Sequence, residues 1–566
     1  DRGDICFFAV HSEMAMTDEL ARFLAGCGEA QTVDHVVKPA LADTQQVFAG
    51  DAALGRSHLE ILGELALEDA IVTPGLLFRA QLDAVLRNFF AGLAVLAFAW
   101  WYAVCKTPQV KQVGQEEQGI TLSVPKLVLL FALMLLWGYL GGQTGFFYQN
   151  SDWGYRNAIY RDLITNSWPV YYPQKDTALV YYIGHWLVPA ALTKPVCALF
   201  GLDAAWMFAR MALWGWTALG TYLAALNLLV YLRADTGKKQ GIGLLFLIFF
   251  SGMDILGALY SSRLPDLLAY DAMHLEWWTN DFQFSSLTTC LFWVFNQTVG
   301  AWLATVCFLQ EKDCRNYLLL GTACLMCGPF PFVGLVIFMV VRGIVLLAQR
   351  QKGVLQSAFS PANVLVLVVV LSITASYFLA NNAFGYSVLG ETVAGNQAAQ
   401  QTFGQNVLTS LQKGMLVFYL LDAGIYLLLL WRQNRRSWLF YTCAVSLFII
   451  PFFKVGQGCD FCMRVSIPAI FILMTLCARY FIALVGTKWR DGTLAQHAVT
   501  ILLAATLLIG ACTPAMEIYR GICHIAKEGT FCLENEEPYT LADRPVSLNF
   551  ETQNCENKLF FTYFAK

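Results

Sequence analysis

The sequence predicts an all-α polytopic membrane protein, with about 12 transmembrane helices and a large first outer loop that contains interfacial helices. Of the 566 residues, 57% are hydrophobic and only 14% are charged, and the mean hydropathy is +0.52. An average soluble domain is about one quarter charged. Apolar runs of about 18 or more residues recur between residues 88 and 515, and a helix of that length can span a bilayer.

The candidate spans follow one another at short intervals. They cover 88–105, 127–144, 206–231, 241–260, 286–309, 317–328 with 331–348, 362–381, 412–431, 438–453, 466–484 and 497–515. Pro329 and Pro331 divide one long run into a predicted hairpin of two short helices, because proline cannot continue a helix. Asn296 and Gln297 are polar residues inside a span, and we expect them to face the protein interior.

Lysine and arginine predict the orientation of the spans, because short cytoplasmic loops carry an excess of both residues. The basic loops hold Arg233, Lys238 and Lys239, Lys312 and Arg315, Arg350 and Lys352, Arg432, Arg435 and Arg436, and Lys488 and Arg490. If all of these loops are cytoplasmic, the outer segments are 1–87, 146–205, 261–285, 382–411, 454–465 and 516–566.

One apolar stretch, residues 179–200, is predicted to lie along the outer membrane surface instead of crossing the membrane. Counting it as a span would reverse every later loop and place all the basic clusters outside. Pro189, Lys194 and Pro195 lie within this stretch, and they suit a broken helix at the interface better than a spanning helix.

The orientation divides the chain into three parts. Residues 1–87 form an extracytoplasmic N-terminal segment of unknown role, with 14 acidic and 6 basic residues. We expect a signal or an earlier span before this segment, because a long N-terminal segment is not easily exported alone. Residues 88–515 form the membrane domain, with 146–205 as its first outer loop, and residues 516–566 form an extracytoplasmic tail.

The first outer loop holds the strongest candidate catalytic residues. Asp152 directly follows a predicted span, and Asp162 and two arginines, Arg156 and Arg161, come next along the chain. Carboxylates and arginines at the membrane surface can supply a general base and an anion clamp. The alternative is that Asp152 and Arg156, four residues apart, form an ion pair that only solvates an interfacial helix.

Two later outer segments carry further candidate site residues. The loop 261–285 includes a cluster suited to binding sugar rings or a lipid headgroup, formed by His274, Glu276, Trp277 and Trp278. The alternative for this cluster is an interfacial tryptophan belt with solvated charges. In the segment 454–465, Lys454 and Arg464 are candidate partners of a lipid phosphate. Arg464 can equally extend its side chain to ordinary lipid phosphates.

Several classes of function are excluded or disfavoured by composition and motifs. The net charge is −3 and no stripe of lysine and arginine interleaved with aromatic residues occurs, so nucleic acid is not an expected partner. The 17 cysteines are scattered, mostly in apolar runs, and form neither a disulfide framework nor a zinc pattern. Cys459 and Cys462 form a lone CxxC, which is a weak signal for redox or metal chemistry.

A longer motif resembles a known superfamily. The stretch DTALVYYIGHWLVPAALTKPVCALFGLDAAWMFARMALWGW contains the pair Tyr181-Tyr182, the Leu199-Phe200-Gly201 turn and Arg210. In these positions the chain resembles the C-type glycosyltransferases, a superfamily of polytopic membrane enzymes that includes protein O-mannosyltransferases and lipid A aminoarabinose transferases. It departs from their pattern in lacking the double proline, and their usual Asp-Glu pair is Asp152-Trp153 here.

The resemblance implies a sugar transfer at the extracytoplasmic face of a bacterial plasma membrane. Asp152 matches the loop acid that serves as catalytic base, and Asp162 is a second candidate. The implied donor is a polyprenyl-phosphate-linked sugar whose phosphate is held by arginine or lysine, for which the candidates are Arg156, Arg161, Arg464 and Lys454. Tyr181 and Tyr182 join the candidate substrate-binding residues. Membrane lipids and an extracytoplasmic acceptor are the other expected partners.

No cofactor is expected to be required for this chemistry. A divalent metal ion is possible, but the missing second acid beside Asp152 makes it less favoured, and no metal-binding residues are predicted.

Two other functions remain as alternatives. A transporter or flippase is expected to show charged residues within its spans and paired broken helices, whereas the charged residues here are concentrated in the outer loops. A polysaccharide polymerase or ligase is expected to have a large late outer loop rich in arginine and histidine, but Glu391 is the only charged residue of the loop 382–411.

Overall fold

The structure is a computed structural model that describes residues 120, 122–265, 274–381, 403–455, 459–528 and 538–564. It is mostly helical, and eight of the described helices are long and apolar enough to cross a membrane. They are Gly184–Tyr231, Gly237–Tyr260, Leu287–Gln310, Pro329–Ala348, Val354–Leu379, Met415–Asn434, Ile467–Leu484 and Leu494–Lys527. The prediction of a multi-pass membrane protein is therefore confirmed.

The remaining predicted spans differ from these eight helices in length or fall outside the description. Shorter apolar helices occupy Val124–Leu140, Tyr317–Cys327 and Trp438–Phe452. The predicted span 88–105 and the predicted N-terminal segment 1–87 lie outside the described residues.

The N-terminal part of the described chain consists of two helices, a β-hairpin and one very long helix. The elements are α1 (Val124–Leu140), α2 (Trp153–Thr165), β1 (Tyr171–Tyr172), β2 (Thr177–Leu179) and α3 (Gly184–Tyr231). Helix α3 is interrupted at Gly201, where φ is 81° and ψ is 168°. This backbone conformation is almost exclusive to glycine, so the predicted turn at Leu199-Phe200-Gly201 is present and separates the stretch 184–200 from the following span.

The central part of the chain contains one of the two most buried candidate spans among the described residues. Its elements are α4 (Gly237–Phe249), α5 (Asp254–Tyr260), a 3₁₀ helix (Leu275–Trp278), α6 (Leu287–Gln310), α7 (Tyr317–Cys327) and α8 (Pro329–Ala348). Asn296 and Gln297 of α6 are both 1% exposed, which confirms that they face the protein interior. The predicted break of the hairpin is also present, because α7 ends before Gly328 and α8 begins with Pro329.

The later helices include two π-helical turns. The elements are α9 (Val354–Ala358), α10 (Pro361–Leu365), a π turn (Val366–Leu371), α11 (Ser372–Leu379), α12 (Phe403–Gln412), α13 (Met415–Tyr419), a π turn (Leu420–Gly424), α14 (Ile425–Asn434), α15 (Trp438–Ile449), a 3₁₀ helix (Ile450–Phe452), α16 (Asp460–Val465), α17 (Ile467–Leu484), a 3₁₀ helix (Trp489–Asp491), α18 (Leu494–Gly510) and α19 (Cys512–Glu528).

The core lies around α6 and α17, each of which is about three-quarters buried within the protein. The other long helices are buried on one side only, and large apolar side chains such as Leu245, Val368 and Leu508 are 60–73% exposed. Exposed apolar area of this extent is unusual for a soluble protein. It is expected where a helix faces lipid.

The C-terminal tail packs against the first outer loop through a small sheet that the sequence did not predict. The tail contains 3₁₀ helices (Leu541–Asp543 and Cys555–Asn557), β3 (Glu551–Gln553) and α20 (Leu559–Tyr563). Strand β2 pairs antiparallel with both β1 and β3, with Ala178 opposite Tyr171 and Thr552. The buried Glu551 accepts hydrogen bonds from Lys175 (2.7 Å) and Thr177 (2.6 Å), which fastens the tail to the hairpin.

Candidate functional site

A cavity of about 330 Å³ lies where the first outer loop, the start of α8, the end of α11, the start of α16 and the C-terminal tail meet. Its polar lining includes two acids and two arginines, namely Asp152, Arg156, Asp460 and Arg464. Its aromatic lining consists of Tyr155, Tyr181, Tyr182, Phe330, Phe378 and Phe550. Five of the predicted site residues therefore share one cavity.

Asp152 and Arg156 form an ion pair at the N-terminal end of α2. The Arg156 guanidinium donates to Asp152 Oδ2 at 2.8 Å, and one helical turn separates the two residues. The Asp152 side chain is 51% exposed and Arg156 only 9%, because Arg156 lies beside the Trp153 and Phe295 rings. Burial lowers the pKa of Arg156, although the Asp152 carboxylate opposes this effect. Asp152 and Arg156 therefore form the ion pair that was the alternative interpretation, and both side chains also line the cavity.

A second pair with the same spacing faces the cavity from α16. Arg464 contacts Asp460 four residues earlier, and the Arg464 side chain is 13% exposed. Burial alone would lower the pKa of Arg464, but the Asp460 carboxylate outweighs burial and raises it. Asp460 was not among the predicted site residues. The signal that could have found it is the D-x-x-x-R spacing that Asp152 and Arg156 also show.

Aromatic side chains form one wall of the cavity. The Tyr181 and Tyr182 rings stack with centroids 4.3 Å apart, and Phe550 of the tail meets Tyr181 edge-on at 4.8 Å. Burial raises the pKa of Tyr181 above its ordinary value, so its hydroxyl stays protonated. A neutral, rigid aromatic wall opposite two arginines is a suitable surface for a sugar ring carrying a phosphate.

Asp162 and Arg161 do not line this cavity. The Asp162 side chain is fully buried and accepts hydrogen bonds from the Tyr172 hydroxyl and the Leu541 backbone N–H, both at 2.9 Å. Arg161 contacts the same carboxylate at 3.3 Å. Burial raises the pKa of Asp162, and the hydrogen bonds partly offset this effect. These contacts join the first outer loop to the tail.

The predicted cluster at residues 274–278 also lies apart from the cavity lining. Glu276 is buried and accepts hydrogen bonds from the Ser286 N–H (2.8 Å), the Ser285 hydroxyl (2.6 Å) and the Gln283 amide (2.9 Å). Burial, reinforced by the Asp254 carboxylate, raises the pKa of Glu276 to about 8.

Of the neighbours of Glu276 in this cluster, His274 and Trp278 are buried and Trp277 is partly buried. Burial, together with the charge of Arg520, lowers the pKa of His274. The His274 ring packs on Trp277, and Trp278 contacts the backbone at Gly257. The side chain of Lys454 is engaged elsewhere too, because it donates to the Asp281 carbonyl and lies over the Phe282 ring.

Two buried acids inside the predicted spans 241–260 and 412–431 were not identified from the sequence. Asp254 and Asp422 are each 1% exposed, and each lies within a candidate span. The expectation that charges are concentrated in the outer loops therefore does not hold for these two residues. The signal was present, because an acidic residue inside an apolar run is itself a mark of function.

Comparison of the chain with family models, with curated proteins and with solved structures returned no match. Within the described ranges, no group of three or more His, Cys, Asp or Glu side chains is arranged to hold a metal ion.

Proposed function

We propose that the protein is a membrane glycosyltransferase. It moves a sugar from a polyprenyl-phosphate-linked donor to an acceptor at the extracytoplasmic face, with Asp152 as general base. The observation that carries the proposal is the cavity in which Asp152 and Arg464, distant in sequence, meet beside Tyr181 and Tyr182. A base, a phosphate-binding cation and a sugar-binding surface are the three elements that this transfer requires.

The reaction assigns a separate task to each of these groups. The Asp152 carboxylate takes the proton of the acceptor hydroxyl or amine as the acceptor atom bonds to the anomeric carbon of the sugar. The bond from that carbon to the phosphate oxygen breaks, and the phosphate leaves with the electron pair. Arg464 stabilises the departing charge, since arginine pairs well with phosphate oxygens. Arg156 already holds Asp152, so its main task is to orient the base.

The proposal includes the predicted membrane arrangement. In this arrangement about 12 spans cross a bacterial plasma membrane, and residues 179–200 lie along the outer leaflet. Two observations support the latter placement: the chain turns at Gly201, and the adjoining Leu199 and Phe200 are 76% and 69% exposed. Apolar side chains exposed on a helix at the membrane surface enter the boundary between headgroups and acyl chains. A lipid-linked donor then reaches the cavity from the bilayer.

Asp152→Asn tests the proposal directly. We expect sugar transfer in membranes supplied with lipid-linked sugars to fall by about 10²–10⁴-fold, the usual contribution of a general base. The variant should fold, because a half-exposed ion pair contributes at most about 1 kcal/mol. Asp176→Asn is the matched control, since Asp176 lies outside the cavity lining and its carboxylate accepts a hydrogen bond from the hydroxyl of the exposed Tyr171. Normal turnover of Asp152→Asn in a folded preparation would contradict the assignment of the base.

A cation-coupled transporter is the second candidate function. The observation that favours it is the interruption of the span Gly237–Tyr260 between α4 and α5, next to the buried Asp254. Broken helices beside acidic residues are typical of secondary transporters. Reconstituted vesicles distinguish the two functions: a transferase releases sugar from its lipid carrier, whereas a transporter moves an intact solute without breaking a glycosidic bond.

A further inference from the structure

The break between α4 and α5 lies at the pair Ser251-Gly252 and is held by hydrogen bonds from neighbouring helices. Residues 250–253 contain no proline, yet Phe250 and Met253 leave the helical conformation with ψ values of 128° and 49°. The Met253 N–H donates to the Leu421 carbonyl at 3.2 Å, and the Tyr426 hydroxyl donates to the Ser251 carbonyl at 2.7 Å. The C-terminal end of α4, the negative end of its dipole, therefore stops inside the bundle.

Two carboxylates face this break. Asp254 begins α5, and its Oδ2 atom accepts hydrogen bonds from the hydroxyls of Ser251 (3.1 Å) and Thr513 (2.8 Å). Asp422 lies in the π turn Leu420–Gly424 and points at the break. A Cβ atom added to Gly252 would lie only 2.7 Å from Asp422 Oδ1, so a glycine is needed for the carboxylate to approach the backbone. The two carboxylates therefore adjoin neighbouring residues of the break, Asp254 at Ser251 and Asp422 at Gly252.

Neither carboxylate oxygen of Asp422 accepts a hydrogen bond from the described residues, and Asp422 is only 1% exposed. No lysine or arginine of the described chain forms an ion pair with Asp254 or Asp422. An isolated ionised carboxylate in a protein interior is very unfavourable. Protonation and a bound cation are the two ways to offset this charge.

We propose that Asp254 and Asp422 bind a sodium ion at the break between α4 and α5. In the described part of the chain, no group of three or more acidic, histidine or cysteine side chains is arranged to hold a metal ion. The available donors are two carboxylates, the hydroxyls of Ser251 and Thr513, and the backbone carbonyls of the break. Unwound backbone and helix C-terminal ends of this kind bind Na⁺ in membrane proteins. One sodium ion and one proton together neutralise the two carboxylates.

The sodium site is separate from the proposed transferase site. None of the four side chains lines the cavity that contains Asp152. The site therefore does not depend on the proposed function, and a binding measurement tests it without any transfer assay.

The experiment measures thermal unfolding of the full chain in detergent by tryptophan fluorescence. NaCl replaces choline chloride at constant ionic strength, with KCl as a second reference. A cation that binds only the folded state raises the Tm with increasing concentration. We expect a rise of the Tm in Na⁺ that is absent in K⁺ and choline. The same detergent-solubilised protein should also bind ²²Na⁺. An equal Tm in all three salts overturns the proposal.

Variants locate the response. Asp422→Asn should abolish the Na⁺-dependent Tm shift, whereas Asp235→Asn, which changes an exposed aspartate, should keep it. A full Na⁺ response in Asp422→Asn overturns the proposal. If Asp422→Asn does not fold, Thr513→Val removes a hydroxyl from Asp254 and should shift the response to higher Na⁺ concentrations. An unchanged concentration dependence in Thr513→Val then counts against the site.

Discussion

Replacing Asp162 with alanine tests whether this carboxylate is a structural anchor or a second catalytic acid. The buried carboxylate accepts hydrogen bonds from the Tyr172 hydroxyl and the Leu541 N–H. Tyr172 and Leu541 are each 1% exposed, so both donors lose their acceptor in a buried environment. Each buried donor left without a partner costs about 1–3 kcal/mol, which amounts to ~2–6 kcal/mol for the two donors.

The lower half of this range is the expected loss for Asp162→Ala. Burial of the carboxylate is itself unfavourable, as its raised pKa shows, so removing it recovers part of the cost. Asp162→Asn retains an acceptor oxygen and removes the buried charge, and we expect it to lose about 1 kcal/mol, the net contribution of a single hydrogen bond. The order of stability should therefore be wild type, Asp162→Asn, Asp162→Ala.

Two measurements on detergent-solubilised protein check this order. The first is the Tm, and the second is limited proteolysis followed with a C-terminal epitope, because Leu541 belongs to the tail. Asp203→Ala is the control, since Asp203 is an exposed helical residue. The reasoning is refuted if Asp162→Ala keeps the wild-type Tm and tail protection. If it then also loses sugar transfer, Asp162 has a chemical role.

Two further predictions concern backbone strain and pH. Gly201→Ala should destabilise the protein by about 1–3 kcal/mol through its φ of 81° and ψ of 168°. Gly215→Ala is the control, because the space around the added methyl group is equally open but the backbone is ordinary helix. This variant should be neutral or slightly stabilising. Equal changes of the Tm in the two variants would contradict the strain argument. The pKa of Glu276 is about 8 in the folded protein, whereas its ordinary value is 4.5. Between pH 4.5 and pH 8 the folded protein therefore keeps a proton on Glu276 that the unfolded chain loses. Stability should therefore decrease as the pH rises from 4.5 to 8, by at most about 1.4 kcal/mol per pH unit from this group, and Glu276→Gln should flatten the dependence of the Tm on pH. An identical pH dependence in Glu276→Gln and wild type would show that other groups cause it.

The candidate site was predictable where its contacts are local. Asp152 and Arg156 are four residues apart, and the helical period alone places them together. Tyr181 and Tyr182 are adjacent in the chain. Arg464 was a reasonable candidate because of its position before a span, but its approach to the first outer loop depends on the packing of α16. The D-x-x-x-R spacing predicts a local pair of Asp460 and Arg464, but it does not specify that Asp460 lines the same cavity as Asp152.

The roles of the other predicted acids were decided by distant partners. Asp162 was the second candidate acid because it lies in the same polar loop as Asp152, yet its partner Leu541 is almost 380 residues away along the chain. Glu276 was predicted to belong to a cluster that binds sugar rings or a lipid headgroup, yet Ser285, Ser286 and Gln283 enclose it. Local sequence reports the composition of a loop, whereas burial depends on which surface covers that loop.

By itself, the amino-acid sequence determined that this protein crosses a membrane many times, and it located the breaks at Gly201 and Gly328. Those properties depend on the length of apolar runs and on backbone chemistry, which are local. Tertiary structure alone decided that the tail adds a third strand to the β1–β2 hairpin and that Asp254 and Asp422 meet at an interrupted helix. Such contacts depend on surfaces that are far apart in the chain and complementary only after folding, so no pattern of spacing or hydropathy specifies them.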